Sequence, residues 1–384
     1  MKRSEQHLAA LTCSAGRFYN HGKTILIMRS HCFFSAAWRF RVLALGAVLF
    51  TVSAAAMAKA QPEEALPKGH YALPENGNMV GEAYRVTVKK DETLLDIAAE
   101  HQVGYEEIRR ANPDTSLWVP KPGSQVTIPA RYILPPVRRE GLVINLAELR
   151  LYYFPDAAQS ETPIVETYPI GIGREGYTTP LGVTKTTMKL KDPAWYPPDS
   201  IRQEAAEKGD SLPSVVPPGP DNPLGTRAIL LDLPGYLIHG TNRPDGVGMR
   251  VSHGCIRLRP ETVQSLFTRV GVGERVNIID MPVKIGRDGK RLYVQSYPLE
   301  EQKAGMDAFI GALEKTPGTE QAVLDYTRLA ATLDAGSWQP TPLAPLPEAV
   351  IEPRKQPRHW FDAFRSWRQS VETSYKTPEQ RGDA

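Results

Sequence analysis

Short apolar runs separated by turn-forming residues dominate the middle of this 384-residue chain. Between residues 142 and 279, six runs have the length and the β-branched or aromatic content that are typical of strands. They are Leu142–Leu146, Leu149–Phe154, Pro163–Ile172, Val183–Leu190, Ala228–Leu233 and Arg275–Ile279. Because many short strands must bury their apolar faces, the pattern predicts a mainly β protein with a β-sandwich-like domain over residues 140–280.

A smaller unit with mixed periodicity precedes this domain, over residues 84–129. Its apolar positions alternate, then recur at helical spacing, then alternate again, which predicts a β-α-α-β order. Asp91 is expected to cap the first helix and Gly104 to end it. The pattern is carried by Tyr84, Val86 and Val88 in the first strand, Leu94, Leu95, Ile97 and Ala98 in the first helix, Ile108 and Ala111 in the second helix, and Gln125–Ile128 in the returning strand.

Residues 281–338 carry a third pattern, which predicts an α/β extension at the C-terminal side of the main domain. Gly286-Arg287-Asp288-Gly289 separates two short apolar runs and is a strong hairpin signal. Helices are expected to follow over Gln302–Glu314 and Thr319–Leu333.

The final segment, residues 339–384, begins with a proline-rich stretch up to Pro357 that predicts an extended linker. A basic amphipathic helix is expected beyond it, and such a helix docks either on its own protein or on a membrane surface or partner. Its apolar face consists of Trp360, Phe364 and Trp367, with Arg365 and Arg368 nearby.

The first 58 residues have the composition of an export signal. Arg39 and Arg41 precede the mostly apolar run Val42–Met57, which ends in small residues that suit a signal peptidase. An uncleaved anchor is the alternative, although the run is shorter than the ~20 residues that span a bilayer. Because the basic region is long, Met28 is an alternative start of the protein.

Removing this segment changes the charge of the chain. It contains seven Lys and Arg residues and one Glu, so the formal charge of +3 becomes −3 for the remainder. The overall basicity therefore belongs to the presequence, and no nucleic-acid partner is expected. Two of the three cysteines are lost with it, which leaves Cys255 as a single thiol in an exported chain.

Cys255 lies in a stretch that also contains His239 and His253. A thiol needs a neighbouring base or a positive field to supply thiolate, and imidazole suits that role. Glycine next to a nucleophile lets successive backbone N–H groups converge, so the run from Ser252 through His253 and Gly254 to Cys255 is suited to bind an oxyanion. Two alternatives are a buried cysteine that acts as a small hydrophobe and a zinc site formed by the three residues, although no fourth ligand is evident.

Ser252 is a poorer nucleophile candidate, because it lacks the flanking glycines of a hydrolase elbow. His239-Gly240-Thr241-Asn242, followed by the run from Ser252 to Leu258, is similar to the signature of the L,D-transpeptidases, the cysteine enzymes that remodel peptidoglycan. The resemblance extends upstream to Gly219–Gly225 and Thr179–Gly182.

This resemblance implies roles for individual residues. Cys255 is the implied nucleophile, His239 its base, and the carbonyl of Gly240 the group that orients His239. Backbone amides of the Ser252–Cys255 run would hold the oxyanion, and Arg257 and Asn242 would order the loop or bind a stem carboxylate. No cofactor and no metal are implied.

The long proline-rich region from Lys191 to Asn222 has weak periodicity, which is typical of an active-site lid or binding loop. Trp195 and Tyr196 either line a groove for a stem peptide or pack simply to anchor the loop. The unit over residues 84–129 resembles a LysM module, through Asp91–Leu94, Ile97-Ala98, Asn112-Pro113 and Pro122–Ser124. LysM modules bind glycans, and a docking domain without glycan affinity is the alternative.

The layout resembles the periplasmic subgroup of Gram-negative bacteria, so the expected partners are peptidoglycan stem peptides and glycan. The donor would be a tetrapeptide stem that releases D-alanine. The acceptor would be diaminopimelate of another stem, which gives 3–3 cross-links, or the C-terminal lysine of an outer-membrane lipoprotein. Water as acceptor would make the protein an L,D-carboxypeptidase, and a non-catalytic wall-binding scaffold is a further alternative.

Overall fold

The computed structural model describes residues 66–156, 162–288, 291–298, 302–316, 319 and 322–345. Six α-helices lie within them, namely α1 (Leu94–Glu100), α2 (Tyr105–Ala111), α3 (Asp199–Glu207), α4 (Pro260–Arg269), α5 (Gln302–Glu314) and α6 (Tyr326–Ala335). The first nine strands are β1 (His70–Ala72), β2 (Met79–Gly81), β3 (Tyr84–Thr87), β4 (Gln125–Ile128), β5 (Arg131–Ile133), β6 (Gly141–Asn145), β7 (Arg150–Phe154), β8 (Ile164–Pro169) and β9 (Ile172–Gly173). The others are β10 (Gly182–Lys191), β11 (Arg227–Leu231), β12 (Leu237–His239), β13 (Arg250–Ser252), β14 (Ile256–Arg257), β15 (Arg275–Ile279), β16 (Val283–Arg287), β17 (Arg291–Ser296) and β18 (Thr341–Pro345).

A nine-stranded mixed sheet forms the centre of the fold, in the order β1-β8-β7-β6-β15-β10-β11-β12-β14. Most neighbours are antiparallel, whereas β6 with β15 and β12 with β14 are parallel pairs. Leu142, Ile144, Leu151 and Ile238 project into one apolar core, and α4 contributes Val263 to it. The prediction of a mainly β protein is therefore confirmed. The edge strand β14 is the one that follows Cys255.

Five of the six strands expected in this region form within about two residues of the expected bounds. The exception is Pro163–Ile172, which divides into β8 and β9. Gly171 bonds instead to Arg257, with its N–H donating to the Arg257 carbonyl at 2.9 Å. The chain thus leaves the large sheet and pairs β9 with β13, beside the segment that carries the candidate nucleophile.

The preceding β-α-α-β unit forms in the expected order, with β3 paired to β4 and helices α1 and α2 between them. The expectation that Asp91 caps the first helix is wrong. Asp91 has a positive φ of 60°, and Thr93 is the N-cap, with its hydroxyl accepting from the Asp96 N–H at 3.0 Å. Gly104 follows helix α1 and itself caps α2, so it separates the two helices.

The β-α-α-β unit shares a core with the large sheet, because Val143, Tyr152 and Val165 pack with its apolar residues. A buried ion pair fastens the two together. Both oxygens of Glu107 accept hydrogen bonds from Arg150, at 3.2 Å from Nε and 2.5 Å from Nη2. Bidentate pairs of this kind fix orientation as well as distance.

Strands β16, β17 and β18 form a separate antiparallel sheet that packs against α5 and α6. The hairpin expected between β16 and β17 forms, although residues 289 and 290 of its turn lie outside the described residues. Two expectations here were wrong. Helix α6 begins at Tyr326 instead of Thr319, with Asp325 as its N-cap, and the expected linker starts with strand β18.

The expected signal segment, the rest of the proline-rich linker and the amphipathic helix from Trp360 onward lie outside the described residues. Within the residues that are described, no helix is both long and apolar enough to cross a membrane.

Candidate active site

Two neighbouring parallel strands place the chemically active side chains. In the register of β12 and β14, His239 lies opposite Arg257, and Cys255 immediately precedes β14. Side chains of paired residues in parallel strands share a face, and alternate residues along a strand return to that face. His239, Arg257 and Cys255 therefore lie on one side of the sheet edge.

The imidazole of His239 is buried and oriented by the backbone. Its Nδ1 lies 2.6 Å from the carbonyl oxygen of Gly240, which can only accept a hydrogen bond. Nδ1 therefore carries the proton, and Nε2 has its lone pair available. Burial lowers the pKa of His239 to about 4, with help from the positive charge of Arg257. The imidazole is therefore neutral near pH 7 and suited to act as a base.

The thiol of Cys255 is partly exposed and is the one free thiol among the described residues. Its Sγ lies 3.6 Å from the Gly235 carbonyl oxygen, to which the S–H donates. Burial raises the pKa of the Cys255 thiol, while a hydrogen bond from the Leu237 backbone and the charge of Arg257 oppose that rise. The resting site thus contains a neutral thiol and a neutral imidazole, and the charge of Arg257 affects the pKa of both groups.

Ser252 and Gly254 shape the turn before Cys255. The Ser252 hydroxyl donates to the Cys255 carbonyl at 2.7 Å and accepts from the Gly254 N–H at 3.1 Å. Gly254 has a φ of +104°, and a Cβ there would lie 3.0 Å from the ring of Tyr236. Thr179 completes the turn by donating to the Gly254 carbonyl at 2.7 Å. These contacts explain why glycine is needed at this position, and they commit the Gly254 amide to Ser252.

His253 points to a cluster that sequence reasoning missed. Its Nε2 lies 3.0 Å from Oε2 of Glu204 and 3.1 Å from Nη2 of Arg174, and its ring packs edge-on against Tyr177. Glu204 belongs to α3, inside the region that was interpreted as a proline-rich loop. The available signal was the spacing of Glu204 and Lys208, four residues apart, which is typical of a helix.

The segment Gly219–Gly225 ends the long loop next to Gly240 and Thr241. Asn222 is fully buried, and its amide donates to the carbonyls of Pro193, Val216 and Pro217 at 2.9 to 3.2 Å. Gly225 has a φ of +65°, and a Cβ there would lie 2.8 Å from the backbone nitrogen of Thr241. This close approach places the segment beside Gly240, whose carbonyl orients His239.

The remaining predicted residues lie at the edges of the site. Asn242 donates to the carbonyl of Asp221 at 3.1 Å, so it orders the neighbouring loop. Arg257 is half-buried, and its Nε has no hydrogen-bond partner within the described part of the chain. Trp195 is half-buried and held by two backbone hydrogen bonds to Val216, whereas Tyr196 is 69% exposed. Of this pair, Tyr196 is the more exposed.

The three residues considered for zinc do not converge on one point. His239 directs Nδ1 to a carbonyl, and His253 directs Nε2 to Glu204. Across the described ranges, no group of three or more His, Cys, Asp or Glu side chains has a metal-binding arrangement. The arrangement around Cys255 is instead that of a thiol, a base and an orienting carbonyl, which can carry out acyl transfer.

Comparison with known proteins identifies two families. The model of the L,D-transpeptidase catalytic domain matches residues 139–278, and that of the LysM domain matches residues 86–129. The chain is 45% identical over 240 residues to Probable L,D-transpeptidase ErfK/SrfK of Escherichia coli, which covers 61% of this chain and 76% of that protein. Probable L,D-transpeptidase YcfS of the same organism is 44% identical over 261 residues, covering 66% and 79%. Probable L,D-transpeptidase YbiS is 41% identical over 271 residues, covering 66% and 87%.

Proposed function

Because this chain belongs to the L,D-transpeptidase family, we propose that it remodels peptidoglycan by acyl transfer through Cys255. The donor is a tetrapeptide stem. The bond that breaks joins the carbonyl carbon of the L-centre of diaminopimelate to the amine of the terminal D-alanine. The observation that supports this most directly is the Nδ1 contact of His239 with the Gly240 carbonyl at 2.6 Å, on the face that also carries Cys255.

In the first half-reaction, Nε2 of His239 takes the proton of the Cys255 thiol as the sulfur attacks the donor carbonyl. A tetrahedral intermediate forms with negative charge on its oxygen. His239 then returns the proton to the leaving nitrogen, the C–N bond breaks, and D-alanine departs. The acyl group remains on sulfur as a thioester, which divides one difficult step into two easier ones.

In the second half-reaction, an acceptor amine loses a proton to His239 and attacks the thioester carbonyl. The C–S bond breaks, and the thiolate recovers the proton from the imidazolium. The amine comes from diaminopimelate of another stem or from the C-terminal lysine of an outer-membrane lipoprotein, and water in its place gives a carboxypeptidase. The LysM unit supports contact with the glycan, and we place the protein in the periplasm.

The oxyanion is stabilised by backbone amides of the turn before the nucleophile. Because the Gly254 N–H already bonds to Ser252, the proposal relies on the amides of His253 and Cys255. Removing one donor of this kind typically costs ~3 kcal/mol of transition-state stabilisation. Arg257 adds a positive charge on the same face, which favours the thiolate in each half-reaction.

Intact-mass spectrometry tests the proposal directly. The full chain is incubated with a disaccharide-tetrapeptide, alone and with a peptide that ends in lysine. We expect a covalent adduct that peptide mapping assigns to Cys255, with one D-alanine released per adduct, and a product whose mass identifies the acceptor. Glycan binding without an adduct or D-alanine release would favour the scaffold alternative and overturn the proposed activity.

The pH dependence of alkylation tests the resting protonation state. Because burial raises the pKa of the Cys255 thiol, its thiolate fraction at neutral pH is smaller than that of free cysteine. The rate with iodoacetamide should therefore still increase above about pH 8.5, the midpoint of a free thiol. A step near pH 6.5 is not expected, because the pKa of His239 lies at about 4. A plateau between about pH 6 and 8 would instead reveal a preformed thiolate and imidazolium pair.

A further inference from the structure

The carboxylate of Glu204 is surrounded by groups that recognise carboxylates. Arg174 Nη2 donates to Oε2, the Tyr177 hydroxyl donates to the same oxygen at 3.1 Å, and His253 Nε2 lies 3.0 Å from it. Lys208, the residue that follows helix α3, donates to Oε1. The hydrogen bond from Arg174 is the strongest of the influences that hold the pKa of Glu204 well below its usual value. Such a set of donors forms a working carboxylate-binding site, filled by the protein's own side chain.

This carboxylate site is joined to the turn that carries the nucleophile. The Arg174 N–H donates to the Ser252 carbonyl at 2.9 Å, three residues before Cys255. A Cβ on Gly173 would lie 3.1 Å from the Cα of Gly254, so the two backbones are in direct contact. His253 is part of both the carboxylate site and the turn that carries Cys255. A ligand atom bound by Arg174 and His253 is therefore held against the turn that carries Cys255.

Helix α3 is attached in a way that permits displacement. None of its residues is buried, so polar contacts hold it where a hydrophobic core would hold an ordinary helix. The side chains of Glu204, Arg174 and His253 are 20%, 35% and 26% exposed, so solvent and solutes reach the cluster. Segments with few buried apolar contacts open at low free-energy cost.

We propose that Arg174, Tyr177 and His253 form a subsite for a carboxylate of the substrate, and that Glu204 occupies this subsite until the substrate displaces it. This assignment rests on the proposed function, because a stem donor carries free carboxylates close to the scissile bond. The subsite without Glu204 has a net positive charge from Arg174, which attracts such a group. Helix α3 leaves with its glutamate as the substrate enters.

Two alkylating agents of similar size test the subsite without any transpeptidase activity. Iodoacetate carries a carboxylate and iodoacetamide does not, and both transfer a two-carbon unit to the Cys255 sulfur with loss of iodide. We measure the ratio of their second-order rate constants at one pH. In Glu204→Gln the ratio should increase about tenfold, because removing one competing charge-assisted contact is worth roughly 1.4 kcal/mol. In Arg174→Gln/Glu204→Gln the increase should disappear.

Arg202→Gln is the matched control, because Arg202 lies on the same helix and pairs with Asp199 instead of contacting the subsite. The ratio of the iodoacetate and iodoacetamide rate constants in this variant should stay within about twofold of the wild-type value. This control shows how much the loss of one charge on helix α3 changes the ratio when the charge does not contact the subsite. An equal ratio in wild type, Glu204→Gln and the double variant would overturn the subsite.

Amidated donors identify which carboxylate is bound. One tetrapeptide carries an amide in place of the D-alanine carboxylate, and another carries an amide on the D-centre of diaminopimelate. The donor that lacks the carboxylate bound by Arg174 should have the same KM in Arg174→Gln as in wild type. The other amidated donor keeps that carboxylate, so its KM should be higher in Arg174→Gln. If both amidated donors still depend on Arg174, the substrate assignment fails. If no donor releases D-alanine while the alkylation ratio still follows Arg174, the proposed function fails and the carboxylate site stands.

Discussion

Replacing Cys255 with alanine should lower kcat/KM for D-alanine release by at least about 10³-fold and abolish the covalent adduct. Alanine has no lone pair to attack the donor carbonyl, so the two-step route through a thioester is lost entirely. His239 and the amides of the turn remain, and they leave a small rate by orienting water. The loss is measured as the rate of D-alanine release from the tetrapeptide, and intact-mass spectrometry shows whether the adduct forms.

Two features of the turn make this substitution a clean test. Ser252 bonds to the Cys255 carbonyl and to the Gly254 amide, which are backbone groups that alanine retains. The half-buried thiol gives up few apolar contacts, so the free energy of unfolding should change by no more than about 1 kcal/mol. Equal turnover by the variant and the wild type would show that the sulfur is not the nucleophile.

A companion variant separates the base from the nucleophile. In His239→Gln the thiol remains, but no group accepts its proton, and the buried thiol is a poorer acid than a free one. Adduct formation should therefore slow by about 10² to 10⁴-fold at pH 7, the usual contribution of a general base. Increasing the pH should recover part of the loss, because hydroxide supplies thiolate without His239. A rate that does not recover above about pH 9 would show that the variant is damaged in some other way.

The candidate residues of the site could be proposed from the sequence because their chemistry is local. Cys255, His239 and Gly240 stand in short motifs, and a parallel strand pair is enough to bring those motifs together. Six of the nine strands of the large sheet were equally predictable, since period-2 alternation and β-branched residues depend on the immediate sequence, whereas β1, β12 and β14 are too short to carry that pattern. The proposed order of the chemical steps came from the resemblance to L,D-transpeptidases, because a hydrophobic pattern carries no information on reaction steps.

Contacts between distant segments were not predictable. Glu204 meets His253 across 49 positions of sequence and Arg174 across 30, and neither side chain carries a local signal of that meeting. The capping error at Asp91 has a similar origin, because Thr93 and Asp96 close a reciprocal capping box that a preference for aspartate does not reveal. Strand β18 was missed because proline suggests a linker, although proline is tolerated on the edge strand of a sheet.

A buried polar network around Lys284 is a further long-range constraint. Its ammonium donates to Oε1 of Glu148 at 2.6 Å, to the Ile133 carbonyl at 2.6 Å and to the Tyr152 hydroxyl at 3.2 Å. Tyr297 donates to the same carboxylate oxygen at 2.7 Å. Lys284 and Glu148 are both fully buried. The network thus joins β16 to the turn between β6 and β7 and to β5.

Replacing Lys284 with alanine should destabilise the protein by about 3 to 5 kcal/mol, because it leaves the Glu148 carboxylate buried without its cation. Burial alone raises the pKa of Glu148, but in the wild type Lys284, together with Tyr152 and Arg150, outweighs that effect and holds the pKa below its usual value. Without Lys284 the pKa rises above that of the unfolded chain, so the folded variant is favoured by protonation. In denaturant unfolding at pH 8 and pH 5, the difference in free energy of unfolding between wild type and variant should be smaller at pH 5.

The sign of that pH effect separates a lost charge pair from a simple cavity. In the wild type the stabilisation from Glu148 declines as the pH falls, and in the variant the penalty also declines, so the two curves must approach each other. A cavity left by the lysine stem would cost the same at both pH values. The exposed pair Lys185 and Asp232, 3.8 Å apart, supplies the matched control, and Lys185→Ala should change stability by less than about 1 kcal/mol. If Lys284→Ala proved equally mild at pH 8, the network would not be the constraint that holds these three segments together.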